Sequence, residues 1–330
     1  MSRKIFLGLL ATVLLITASA KAQQTGKVPR IGFLDVSTAS GSAGLVDAFR
    51  QELSKLGWIE GKTITLEYRF AEQKSERIPD LAADLVRLKV DLIVTTSGPP
   101  ALAAKKATTS IPIVMANAGD PVGEGLVASL ARPGGNVTGF SSMSFELATK
   151  RLEILKDTVP KLARVGLLRP RGEGITISGN LQLEELTAAA LALKLKLEEI
   201  TTQPDPKGLE SAFQTAKQKQ VGAIMTISTR RFFAERKRIV ELAGKNRLPA
   251  IYFQKEFVDE GGLMSYGADF DDLFRKAAHY VDKILKGAKP GDLPVQQATK
   301  FEFVINLKTA KQIGLTIPPD VLARGTKINR

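Results

Sequence analysis

Four short stretches of this chain occur twice, in the same order and at nearly constant separation. Arg30-Ile-Gly-Phe-Leu34 returns as Arg164-Val-Gly-Leu-Leu168, and Thr63-Ile-Thr-Leu-Glu-Tyr68 returns as Lys194-Leu-Lys-Leu-Glu-Glu199. Val90-Asp-Leu-Ile-Val-Thr95 is matched by Val221-Gly-Ala-Ile-Met-Thr226, and Ile111-Pro-Ile-Val114 has a looser echo in Leu248-Pro-Ala-Ile251. The first three offsets are 134, 131 and 131 residues, a register that chance does not keep. The period is far longer than that of a solenoid. One architecture is written twice.

Within each copy, short apolar runs alternate with longer amphipathic ones. Residues 28–34 read as a strand, and 45–56 as a helix with Leu45, Phe49, Leu53 and Leu56 at helical spacing. Residues 78–88 repeat that spacing with Ile78, Leu81, Leu85 and Leu88. The runs 90–95 and 111–116 are continuously apolar, as parallel strands covered on both faces are. This rhythm predicts an α/β fold of two similar doubly wound parallel-sheet lobes, joined by a multi-strand hinge with a ligand cleft between them. The first lobe is expected to comprise residues 28–140 with 268–288, and the second 141–267 with 289–330. Chain exchanges are expected near 139–140, near Gly267, and near Lys289-Pro-Gly-Asp-Leu-Pro294. The last two are the joints a helix over 271–286 needs if it returns to the first lobe.

Residues 1–22 stand apart. Arg3 and Lys4 precede an apolar run from 5 to 20, and Ala18, Ala20 and Ala22 offer a small-residue cleavage pattern, so a cleaved secretory signal peptide is expected. No cysteine follows to accept a lipid, which predicts an unanchored protein in the periplasm. The absence of cysteine also excludes disulfides, thiolate metal sites and thiol catalysis. The formal charge of +13 is spread among acids, without the basic patch and reading motif that nucleic-acid binding needs.

Open parallel sheets bind ligands beyond the carboxyl ends of their strands. In the first copy this selects Asp35-Val-Ser-Thr38, Thr95-Thr-Ser-Gly98 and Asn117-Ala-Gly-Asp120; in the second, Pro170-Arg-Gly-Glu173, Ser228-Thr-Arg230 and Tyr252-Phe-Gln254. Ser265-Tyr-Gly267 lies at an exchange point. The candidate ligand contacts are Asp35, Ser37, Thr96, Ser97, Asp120, Arg230, Tyr252 and Tyr266. Thr96 and Ser97 precede Gly98 and Pro99 at a helix start, where free N–H groups and the helix dipole favour a carboxylate or phosphate. Ser97 equally suits the cap of its own helix. Asp120 before Pro121 is either a helix cap or a receiver of an ammonium group. Arg230 suits bidentate pairing with a ligand carboxylate, and Tyr252 and Tyr266 an aromatic wall.

Catalytic chemistry is sparse. His279 is the only histidine, and helical spacing turns it away from the face formed by Leu273, Ala277, Val281 and Ile284, so histidine triads and zinc sites are not expected. Gly32, Gly41 and Gly44 do not form a dinucleotide fingerprint, and there is no Walker loop. Binding without catalysis, and with neither cofactor nor metal, is the expectation. A carboxylate-based hydrolase is the weaker alternative.

Several segments carry a family likeness: Asp91-Leu-Ile-Val-Thr-Thr96, Ser110-Ile-Pro-Ile-Val-Met115, Gly119-Asp-Pro-Val122, Leu130-Ala-Arg-Pro-Gly-Gly-Asn-Val-Thr-Gly139 and the stretch 305–318. With them the chain resembles the ABC transporter substrate-binding proteins of the periplasmic binding protein type I fold, in the branch that includes tryptophan and other aromatic amino-acid binders. The likeness spans nearly all of 28–324. It implies a solute receptor that closes its lobes and presents the ligand to an inner-membrane ABC permease, and it does not fix the solute; a monomer that takes a small carboxylate-bearing solute, an amino acid or aromatic acid, is the expectation. A ligand-sensing subunit of a membrane receptor is the alternative. In Pro133-Gly-Gly-Asn-Val-Thr-Gly139, the glycines permit positive φ and Asn136 suits a turn, so this stretch is expected to shape a lobe crossing and not to touch ligand.

Overall fold

The computed structural model describes residues 28–171 and 177–330. The expected signal segment 1–22 lies outside the described residues, as do Gly172 and Glu173 of one expected cleft loop. The first copy forms β1 (Arg30–Asp35), β2 (Thr65–Phe70), β3 (Leu92–Thr95), β4 (Ile113–Ala118) and β5 (Val137–Ser141). The second forms β6 (Arg164–Pro170), β7 (Lys196–Thr202), β8 (Ala223–Thr226), β9 (Ala250–Tyr252) and β10 (Met264–Ala268). Three further strands follow, β11 (Gln296–Gln297), β12 (Phe301–Asn306) and β13 (Lys327–Asn329). One sheet runs β2-β1-β3-β4-β5-β11 and the other β7-β6-β8-β9-β10-β12-β13. Strand for strand the two copies take the same order. The fold is two parallel-sheet α/β lobes of the type I periplasmic kind, and the sole antiparallel strand pair among the described residues is β10 with β12.

Alternate side chains of each strand feed opposite cores, which explains the continuous apolar runs. Ile31, Phe33, Leu92 and Val94 pack on one face of the first sheet, and Leu34, Ile93, Ile113 and Met115 on the other. The second sheet repeats this with Val165, Leu167 and Met225 against Leu168 and Ile224. Helices supply the outer layers. The first copy contributes α1 (Ala39–Lys55), α2 (Ile78–Arg87) and α3 (Gly98–Ala107); the second contributes α4 (Ser144–Thr158), α5 (Ile177–Ala192), α6 (Pro206–Gln218), α7 (Arg230–Ala234), α8 (Arg236–Lys245) and α9 (Glu256–Asp259).

Helix α10 (Phe270–Leu285) follows β10 of the second sheet yet packs in the first. Its start is fixed by Asp269, whose carboxylate accepts the Asp272 N–H at 3.0 Å. Phe274, Ala277, Val281 and Ile284 enter the core beside α1, and Trp58 Nε1 donates to Asp282 at 2.8 Å. His279 faces outward, 3.1 Å from Glu52. Burial of each large apolar side chain contributes about 1.5–3 kcal/mol, enough to hold the returning helix in place.

The chain changes sheets three times: after β5, after β10, and between β11 and β12. The third change falls at residues 298–300, later than the Lys289–Pro294 joint expected from the sequence. Proline and glycine there build a turn, not a crossing. Thr138 Oγ1 donates to the Leu293 carbonyl at 2.6 Å, Val295 N–H to Leu130, and Ala298 N–H to Ser141, which keeps this segment on the first sheet. Among the described residues no helix is long and apolar enough to cross a membrane.

Candidate functional site

Between the lobes lies a cavity of about 150 Å³, walled by the loops that leave the carboxyl ends of strands from both sheets. From the first lobe come Val36, Ser75, Ser97, Gly98, Pro99, Asn117, Gly119 and Glu124; from the second come Ser228, Thr229, Arg230, Arg231 and Phe253. Ser144 and Phe270, each just past a crossing, complete the lining.

Ser97 and Arg230 are the two expected contacts that line the cavity. Ser97 stands at the N-cap of α3 but does not cap it, and its buried Oγ has no hydrogen-bond partner. The helix start itself is a poorer anion site than its position suggests. Pro99 and Pro100 carry no N–H, so Gly98 supplies the first turn's one free amide. That place is already taken: Glu124 lies against Gly98 so closely that a Cβ there would overlap its Oε2.

Arg230 reaches across the cleft. It is 6% exposed, and its Nη2 donates to Ser42 Oγ at 2.9 Å and meets Asp35 at 3.5 Å. Asp35 is fully buried, accepts the Ser37 N–H at 2.9 Å, and makes a short hydrogen bond with Ser42 Oγ. Arg230 Nε and Nη1 are buried with no partner. Its guanidinium also lies over the Phe233 ring, 4.9 Å from the centroid. A cation held by one carboxylate and one hydroxyl, with two donors unused, suits an anionic solute group.

The other expected contacts do not line the cavity. Ser37 and Thr96 are buried with unpartnered hydroxyls. Tyr252 is buried against Phe257, the rings stacked at 4.6 Å, and burial pushes its phenol up. Tyr266 packs on Phe301 and Phe303. The aromatic wall is instead Phe253, one residue on from Tyr252, together with Phe270. Phe253 follows the end of β9 and packs on Phe257 as Tyr252 does, but it is Phe253 that reaches the cavity. Asp120 Oδ1 accepts the Gly123 N–H at 2.9 Å, closing the turn after β4. Asp120→Ala is expected to cost about 1 kcal/mol of stability in denaturant melts.

Two functional residues were missed in the sequence. Glu124 Oε1 accepts the Asp120 N–H at 3.3 Å, and burial pushes its carboxyl up to about 7 against the lowering effect of that amide. No local pattern links it to Gly98. Arg151 is fully buried under the hinge, donating to the Tyr266 carbonyl at 3.1 Å and the Ser144 carbonyl at 3.4 Å, and so joins two crossings. Burial lowers its guanidinium to about 9. Here a signal existed: Arg151 falls four residues from both Leu147 and Leu155, on the apolar face of α4.

The sequence pattern of the family described as ABC transporter substrate binding protein matches residues 37–329. The tyrosine-binding protein of Clostridioides difficile (strain R20291) is 30% identical over 272 residues, 81% of this chain and 75% of that one. An ABC domain from Streptococcus pneumonia in complex with L-Trp is 27% identical and superposes with a TM-score of 0.81, covering 92% of this chain and 100% of that one. The ligand-free, open structure of a Clostridium difficile substrate binding protein with adhesive properties is 25% identical. Its TM-score is 0.65, over 92% of this chain and 99% of that one.

Proposed function

This chain belongs to the ABC transporter substrate binding proteins, a family of extracytoplasmic solute receptors and not of enzymes, and we propose that it captures an aromatic amino acid for an inner-membrane ABC importer by closing its lobes. The observation that carries this reading is the interlobe cavity, with a partly unpaired buried arginine on one side and two phenylalanines on its walls. Phe253 and Phe270 suit an aromatic side chain whose polar end turns toward Arg230. The relatives named for tyrosine and bound to L-Trp support that choice.

Closure is supported by two observations. The fit is better to the L-Trp complex than to the ligand-free open structure, at similar identity. Arg230 of the second lobe also reaches Asp35 and Ser42 of the first. Each lobe alone offers half of the contacts, so solute shifts the population toward the closed form. Ser97 and Arg230 touch the solute, and Asp35 acts through Arg230. Export through a cleaved signal over residues 1–22 to the periplasm belongs to the same proposal.

Calorimetry of the refolded, ligand-stripped protein against a panel of amino acids and aromatic acids tests this. L-Tyrosine or L-tryptophan is expected to bind with a Kd of about 10 μM or tighter, about −7 kcal/mol. Small-angle scattering should show the protein contract on binding. Absence of heat with every member of the panel would sink the proposal.

A further inference from the structure

We infer that Glu124 receives the ammonium group of the solute, so that the cleft takes a zwitterion, its cation on Glu124 of the first lobe and its carboxylate on Arg230 of the second. This rests on the reading above that the cleft is the solute site. The cavity has an acid on one wall and a base on the other: Glu124 is met by backbone amides and no cation, and Arg230 is paired with Asp35 through one nitrogen only. The groups acting on Glu124 are the Asp120 and Gly119 amides and the Asp120 charge, and no lysine or arginine is among them. Arg230 turns one nitrogen toward Asp35 and Ser42 and leaves two others unpaired. A buried carboxyl without a cation and an arginine with two idle nitrogens are each costly in a small cavity until opposite charges arrive. An α-amino acid supplies both at once.

The placement of Glu124 is built into the chain. Gly98 lacks the Cβ that would exclude its carboxylate, and the Asp120 amide holds Oε1. Asp120 is fixed by the Gly123 N–H, and at Gly123 too a Cβ would overlap the Asp120 carboxylate. The turn after β4 thus positions one acid by means of another. A simple anion, by contrast, would meet Glu124 as a like charge.

The same arrangement makes binding depend on pH. Around Glu124 stand Asp120 on its own turn, Lys105 on α3, whose amine goes to the Gly125 carbonyl at 2.7 Å, and Arg230 and Arg231 across the cleft. Of these, Glu124 is the group poised to titrate near neutrality, since burial holds it at about 7, and the single histidine pairs with Glu52 elsewhere. The folded, solute-free protein therefore binds a proton between the ordinary carboxyl range and about 7. This carboxyl favours folding at low pH, and that contribution is lost as pH rises through about 7. An incoming ammonium expels the proton. Affinity for an amino acid should accordingly fall as pH drops below 7, by about 30-fold from pH 8 to pH 5.5.

Calorimetry with L-tyrosine and its des-amino counterpart 3-(4-hydroxyphenyl)propionate, at pH 8 and 5.5, provides the test. Wild type should lose about 30-fold affinity for tyrosine at the lower pH and show no such loss for the des-amino acid. Glu124→Gln should weaken tyrosine binding at pH 8 by about 100-fold or more, abolish the pH dependence and spare the des-amino acid. It should also melt higher than wild type at pH 8 without solute. Tyrosine affinity that is flat with pH in wild type, or unchanged in Glu124→Gln, overturns the inference and leaves the solute site standing, as does wild type binding the des-amino acid but no amino acid. Failure of wild type to bind any panel member overturns both. The wild-type pH series requires no variant to fold.

Discussion

Arg230→Ala is expected to weaken binding of L-tyrosine or L-tryptophan by about 100-fold or more, about 3 kcal/mol. The side chain does three things that alanine cannot. It offers two unpaired nitrogens to the cavity, it carries the positive charge nearest a solute carboxylate, and it links the lobes through Asp35 and Ser42. Losing it also leaves Asp35 buried without its only cationic partner in the described cleft. An uncompensated buried carboxylate disfavours the closed arrangement, so the defect enters twice: in the contact and in the population of the state that binds. Arg230→Lys should fall between, since the charge remains but the planar fork does not. Calorimetry reads the affinity, and small-angle scattering reads whether the variant still contracts with solute. A Kd for Arg230→Ala within threefold of wild type would place the solute carboxylate elsewhere.

Much of this architecture could be read from residues alone, for a physical reason. The paired segments at Arg30 and Arg164, and at Val90 and Val221, are strands covered on both faces, and double burial forces the long apolar runs that make a repeat visible. The carboxyl-end rule then selected loops, and the cavity is indeed lined from those loops at Ser97, Asn117, Ser228 and Arg230. Within a loop the rule cannot say which side chain faces inward. Tyr252 reads as an aromatic wall, yet its ring stacks on Phe257 in the core and Phe253, just past the strand end, reaches the cavity. The helix start at Gly98 read as an anion site because its two prolines look like a well-made first turn. Their missing amides, and the approach of Glu124 from a distant turn, are tertiary facts. The third crossing was misplaced because a Pro-Gly turn and a change of sheet look alike in sequence, whereas the hydrogen bonds of Thr138 and Val295 distinguish them.

Gly139→Ala should be the most damaging single change in the Pro133–Gly139 stretch, costing about 4 kcal/mol or more. That is a large share of a typical total stability of about 5–15 kcal/mol. Gly139 sits inside β5 with φ +136, a backbone shape that costs a residue with a side chain about 1–3 kcal/mol. Its Cβ would also overlap the Met115 carbonyl oxygen and lie 2.6 Å from the Met115 nitrogen. Both obstacles are backbone of β4, the neighbouring strand, so no rotamer change relieves them. Gly135→Ala is the internal control: its φ is not positive, its Cβ would meet nothing within 4 Å, and its effect should stay within about 0.5 kcal/mol. Thermal melts should therefore separate the two by about 10 °C or more, or Gly139→Ala should fail to accumulate as folded protein. The strain also travels toward the cleft. The pairing of β4 with β5 shifts register between Met115 and Ala118, next to Asn117 and Gly119 of the cavity wall. If β4 yields, those residues and the turn bearing Glu124 move with it, so saturating solute should raise the variant's melting temperature by less than it raises that of wild type. Equal shifts would mean that the strain is absorbed locally and that the cleft does not depend on the close approach at Gly139.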